Sequence, residues 1–246
     1  MVPSLRVTLL AMTLLRARGA CFLLLVLLFG LALSLLAQEN PDPARFLSSI
    51  EAFDEADRAT PPPADPIVFV GSSSIRLWDS LAEDMAPVPV VNRGFGGSGL
   101  FDAIHHAEPL VDVLEPSLVV VFSGTNDIAG AQAKSAAQVH DLFRALVRRL
   151  RRDDAELTIV YIAITPTLAR EEHIATVREA NRLIRGDCAA DPRLEFVDPS
   201  VDLVDGAGRP DPLWFRADRL HLNARGYAVW TRHLRPLVRR LYERER

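Results

Sequence analysis

The sequence predicts an α/β fold, a three-layer sandwich whose five parallel strands lie in the flavodoxin-like order 2-1-3-4-5 between helices. Three observations predict it. Short runs nearly continuous in Val, Ile, Leu and Phe recur at 67–70, 88–91, 118–122, 157–164 and 194–197, as expected of parallel strands buried on both faces. Helix-like segments at 100–114, 135–152, 170–189 and 223–240 alternate with them, which implies right-handed crossovers between parallel neighbours. Small and polar residues cluster directly after the first three runs, where such a sheet presents its ligand crevice.

The chain has 246 residues, 49% of them hydrophobic and 24% charged, room for one buried core beyond an N-terminal segment. Residues 21–37 are uncharged and apolar and follow Arg16 and Arg18, the charge order of a secretory leader. Residues 1–37 are therefore read as a signal peptide or an N-terminal membrane anchor. Cleavage after Ala37 would put Leu35 where a small residue is preferred, so anchoring by residues 20–37 stays open. Cys21 precedes the apolar run and cannot be a lipoprotein cysteine. A leader translated from Met12 has the conventional charged segment directly before its apolar stretch, and that start is expected. Either way the domain is exported, to the periplasm or outside the cell.

Net charge is −4, and the first 37 residues hold three arginines and no acid. The remainder is more acidic still, which argues against the basic stripe of a nucleic-acid-binding surface. Cys21 and Cys188 are the two cysteines, so no disulfide is expected within the domain.

Residues 38–65 predict a short helix and a Pro-rich linker. Asp42 is a helix cap, Pro43 suits the first helical position, and Phe46, Leu47, Ile50 and Phe53 share one face. Pro61-Pro62-Pro63 breaks the chain, leaving residues 66–246 as the main domain.

Four clusters carry candidate chemistry. Gly71-Ser72-Ser73-Ser74-Ile75 follows the first strand; a serine there can be a nucleophile or a helix cap. Ile75 stands where the G-x-S-x-G elbow needs glycine. Asn92-Arg93-Gly94-Phe95-Gly96-Gly97-Ser98-Gly99 follows the second strand. Its glycines also satisfy G-x-G-x-x-G, but the acid a ribose requires is missing from the next strand end, which reads Phe122-Ser123-Gly124. Gly124-Thr125-Asn126-Asp127 follows the third strand, where Asn126 can be turn chemistry or an amide at the sheet edge. Asp218-Arg219-Leu220-His221 precedes the last helix; the carboxylate can orient the imidazole or form a local ion pair.

Together, and in this order, the four clusters resemble the blocks of the SGNH (GDSL-like) hydrolase family, over residues 66–237. Ser72 replaces the aspartate of the family's Gly-Asp-Ser signature, a wording that looks like a variant within it. The resemblance implies an esterase with Ser73 as nucleophile, His221 as general base and acid, and Asp218 orienting His221; Ser72 and Ser74 are the alternative nucleophiles. It implies an oxyanion hole from the N–H groups of Ser73 and Gly97 and the amide of Asn126. No cofactor is expected, and His105, His106, His140, His173 and His233 lack partners at metal-ligand spacing.

Trp78, Phe95, Ile128, Trp214 and Phe215 adjoin the blocks and are candidates to line an acyl or leaving-group pocket, or else core residues. No large insertion separates the blocks, which favours a shallow site and a small-molecule or glycan ester bearing a small acyl group. Thioester or lysophospholipid hydrolysis on the same triad, and a catalytically silent envelope-binding protein, are the alternatives.

Overall fold

A computed structural model describes residues 40–130 and 132–245. The leader, the Met12 start and the anchor expected at 20–37 lie outside them. Among the described residues no helix is long and apolar enough to cross a membrane.

Residues Asp42–Arg246 form one compact unit. Five strands, β1 (Ile67–Gly71), β2 (Val90–Gly94), β3 (Leu118–Phe122), β4 (Thr158–Ile162) and β5 (Leu194–Val197), make one sheet in the order β2-β1-β3-β4-β5. All neighbours are parallel. Side chains alternate between its faces. Val68, Val70, Val119, Val121, Ile159 and Tyr161 enter one core, and Ile67, Phe69, Leu118, Val120, Phe122, Val160 and Ile162 the other.

Register decides where the site forms. Gly71 pairs with Gly94 on one side and with Phe122 on the other, so the first three strands end level and release their three loops at one edge. A side chain at Gly71 would meet the Phe122 carbonyl at 2.2 Å, and one at Gly94 the Arg76 backbone at 2.1 Å. Glycine is needed at both for close backbone approach.

Strand β2 runs later than the expected 88–91, because Asn92 and Arg93 belong to the ladder despite their polarity. Arg93 is buried, its guanidinium bonded to the Asp57 carboxylate and lying over Phe53. Asp57 and Phe53 sit on helix α1 (Leu47–Ala59), which follows a 3-10 turn at Pro43–Phe46 capped by Asp42. Phe46 and Ile50 are buried, Phe46 edge-on to Phe95 with 5.1 Å between centroids. The helix foreseen in residues 38–65 is therefore part of the core. Leu47, expected on its buried face, is exposed, because it lies at the rim of the stripe centred on Ile50.

Helix 100–114 is broken into α2 (Leu100–His105), α3 (Ala107–Leu110) and a 3-10 turn. The ring of Pro109 would collide with the carbonyl four residues back, so the first helix stops before it. Helix α4 (Ala136–Leu150) starts at a capping box between Ser135 and Gln138. Helix α5 (Ile174–Ala190) and helix α6 (Ala224–Arg244) complete the layers.

Candidate active site

Ser72 begins the turn that closes β1 and bonds through its N–H to the Phe122 carbonyl of β3. Its side chain makes no capping bond and is fully buried. Ser73, at the first position of a one-turn helix (Ser73–Arg76), is partly exposed. Of the three serines it is the one whose hydroxyl reaches an imidazole: Ser73 Oγ lies 2.8 Å from His221 Nε2. The side chain of Asn92 braces this turn, donating to the Ile75 carbonyl at 2.7 Å and accepting from the Gly94 N–H at 2.9 Å.

His221 arrives on a tight loop closed by a bridge between Phe215 and Leu222. Arg219 takes a left-handed conformation at φ 58°, which lets the chain double back within three residues. Asp218 Oδ2 then sits 2.7 Å from His221 Nδ1, while Oδ1 accepts the N–H groups of Leu220 and His221 at 2.9 Å each. Partial burial pushes the Asp218 pKa up, but these hydrogen bonds outweigh it and hold the carboxyl at about 2. An ionised Asp218 accepts a hydrogen bond from Nδ1–H, which leaves Nε2 as the acceptor facing the Ser73 hydroxyl. Asn223 caps α6 and ties its amide to the carbonyls of Leu213 and Phe215, fixing the far side of the loop.

Asn126 lies in a one-turn helix (Thr125–Ile128) after β3. Its Nδ2 donates to the Ser98 carbonyl at 2.9 Å, which leaves one N–H of the amide available. Next to it the buried Asp127 accepts the Leu100 N–H at 3.0 Å and ties this block to the start of α2. Gly97 is exposed, has φ 86°, and a Cβ there would meet nothing within 4 Å. The N–H groups of Ser73 and Gly97 have no acceptor among the described residues.

Ser73, Asn126, Leu220 and His221 line one recess with Thr165, Thr167 and Arg170. The last three were not singled out in the sequence. Only the placement of the β4–α5 connection at the same sheet edge marks them. Three of the aromatic and aliphatic candidates prove to be core instead. Trp78, Phe95 and Ile128 are each at most 2% exposed. Trp78 donates its indole N–H to Asp84, and Phe95 packs on Phe46. Trp214 is half-buried against the core near α6, and Phe215 is buried in it; neither borders the recess. Their sequence proximity to the blocks misled because strand ends and helix starts alternate between lining a crevice and filling a layer.

Among the described residues no three His, Cys, Asp or Glu side chains converge as a metal site. His140 pairs with Asp187 and His233 with Asp202, and His106 Nε2 lies 3.0 Å from the Pro43 carbonyl.

A serine hydroxyl bonded to an imidazole that is itself oriented by a carboxylate is an arrangement for nucleophilic attack on a carbonyl. Residues 68–229 match the GDSL-like lipase/acylhydrolase family. The chain belongs to that family. As a GDSL-like acylhydrolase it is a hydrolase acting on esters. Its sequence is 29% identical over 185 residues to human platelet-activating factor acetylhydrolase IB subunit alpha1, covering 71% of this chain and 76% of that one. The fold is similar to a GDSL-like lipase from Bacteroides thetaiotaomicron, with TM-score 0.65, 18% identity, and coverage of 78% of this chain and 97% of that one. A lipase/acylhydrolase from Enterococcus faecalis is similar at TM-score 0.57 and 20% identity, over 73% and 96% of the two chains.

Proposed function

We propose that this GDSL-like acylhydrolase cleaves carboxylic esters of small or sugar-borne acyl groups through an acyl-enzyme on Ser73. The observation that carries the reading is the 2.8 Å contact between Ser73 Oγ and His221 Nε2. Ser73 Oγ attacks the ester carbonyl while its proton passes to Nε2, and Asp218 stabilises the imidazolium. The N–H groups of Ser73 and Gly97 and the amide of Asn126 receive the charge that grows on the carbonyl oxygen. Collapse of the tetrahedral intermediate breaks the bond to the alcohol, which leaves with the proton from Nε2. Water, deprotonated by His221, then attacks the acyl-enzyme and releases the acid and free Ser73.

The recess that holds Ser73, Asn126 and His221 is small, which favours a small acyl group. The name of the human relative, an acetylhydrolase, points the same way. A fluorophosphonate probe should label the protein, and Ser73→Ala should abolish labelling in a folded chain. Undiminished labelling of that variant would move the nucleophile to Ser72 or Ser74. Turnover of a nitrophenyl acyl series should peak at acetyl; a peak at long chains would favour a lysophospholipase or thioesterase, and no turnover a silent binding protein. Export rests on the charge pattern of residues 1–37, and cell fractionation with N-terminal sequencing tests it.

A further inference from the structure

We infer that Arg170 is a positioning residue that fixes which end of the Asn126 amide faces the reacting carbonyl. The inference rests on the proposed role of Asn126 as an oxyanion donor. An asparagine amide has two ends of nearly equal shape and opposite chemistry, an acceptor oxygen and a donor nitrogen. Turned one way it stabilises an oxyanion; turned the other way it repels one. Arg170 has no acceptor, so whatever bonds to it must present oxygen.

Arg170 Nη2 donates to Asn126 Oδ1 at 2.8 Å. With the oxygen held there, Nδ2 is the free end, and the Ser98 carbonyl takes only one of its two hydrogens. The grip extends beyond the amide. Arg170 Nη1 donates to the Thr125 carbonyl at 2.6 Å and to its hydroxyl at 2.8 Å. One planar guanidinium thus holds the backbone of the turn and the side chain that follows it.

The arginine is itself anchored to the other half of the site. The Ala169 N–H donates to the Arg219 carbonyl at 3.0 Å, and Arg219 lies between Asp218 and His221. Arg170 interrupts its 3-10 segment with φ −133° and ψ 37°, and its side chain reaches Thr125 and Asn126. The β4–α5 connection therefore spans from the histidine loop to the asparagine turn. Among the described residues no carboxylate is bonded to the Arg170 guanidinium, whose three hydrogen bonds go to neutral oxygens. Glu172 acts on the guanidinium only through space, so the guanidinium polarises the bonded Asn126 amide and the remaining N–H becomes a stronger donor.

The test is a double-mutant cycle on a small nitrophenyl ester, with kcat, KM and melting temperature measured for each variant. Arg170→Met should lower kcat by roughly 10–100-fold with KM changed only a few-fold. Arg170→Lys, which keeps the charge and loses the fork, should fall between Arg170→Met and wild type. In an Asn126→Ala background Arg170→Met should change kcat by less than about threefold, because it acts through a side chain no longer present. Losses that multiply in the double variant would overturn the inference, as would kcat within about threefold of wild type in folded Arg170→Met. If Arg170→Met does not fold, the same cycle is run with Arg170→Lys. Normal kcat in Asn126→Ala would defeat the oxyanion reading first, whereas a slow Asn126→Ala beside a fast Arg170→Met would defeat the positioning role alone.

Discussion

The phenol of Tyr227 donates to the Ser74 carbonyl across 2.8 Å, so the first turn of α6 holds the turn that carries Ser73. The bond is buried, the Tyr227 ring stacks on Trp78 at 5.3 Å, and burial pushes the phenol above its ordinary pKa. Tyr227→Phe keeps the stack and leaves the carbonyl without this donor. Urea unfolding should show a loss of about 1–3 kcal/mol, with kcat reduced only a few-fold.

Asn126 separates transition-state stabilisation from turn chemistry. Removing an oxyanion donor costs on the order of 10²–10³ in kcat, or roughly 2.7–4 kcal/mol, so Asn126→Ala should lose about that much with KM nearly unchanged. Asn126→Asp should be as slow or slower, since it faces the oxyanion with a negative charge. A kcat within about fivefold of wild type would refute the role.

Asp218 should stay ionised throughout the working range. Its folded pKa, about 2, lies below the unfolded value of about 3.9. The stability it contributes is therefore present above about pH 4 and lost as pH falls toward 2. The acid limb of a kcat profile should show no Asp218 ionisation above about pH 3. Its side chain is 47% exposed, so water can take over part of its role with His221. Asp218→Ala should accordingly be slowed at least about tenfold less than His221→Ala.

Asp127 has the opposite sign. Burial raises its pKa to about 6, against the pull of the Leu100 N–H and Lys134. The folded state then binds more protons than the unfolded one between about pH 4 and 6, and stability falls as pH rises through that window. Asp127→Asn keeps an acceptor for Leu100 and removes the titration. The stability difference between variant and wild type should shift in favour of the variant from about pH 4 to 6 and then level. A difference independent of pH would count against this assignment.

Phe46 tests whether residues 42–59 belong to the folding unit. Its ring is 8% exposed and meets Phe95 in the Gly block. Phe46→Ala should destabilise by about 3 kcal/mol in urea melts, with kcat of the folded enzyme within a few-fold of wild type. A linker would give no measurable change.

The first four apolar runs, the helical spacing between them and the small-residue clusters at their ends are local patterns, and they were legible one segment at a time. They sufficed for the fold class, and the family resemblance that the four blocks carry implied Ser73, Asn126, Asp218 and His221, which the structure brings to one edge of the sheet. Arg93 was not legible as a strand residue, because a buried arginine is tolerated only where a partner is supplied, and Asp57 comes from another element. Trp78, Phe95 and Ile128 read equally well as pocket or core.

By itself, the sequence determined the alternation of strand and helix segments and the residue types that follow the first three strands, since both follow from periodicity and neighbours along the chain. Only the tertiary structure decided the pairings. Ser73 and His221 are 148 residues apart, Arg93 and Asp57 36, and Asn126 and Arg170 44. Each depends on strand register and loop path together, because a hydrogen bond tolerates only a few tenths of an ångström and no local pattern fixes a distance across the sheet to that precision.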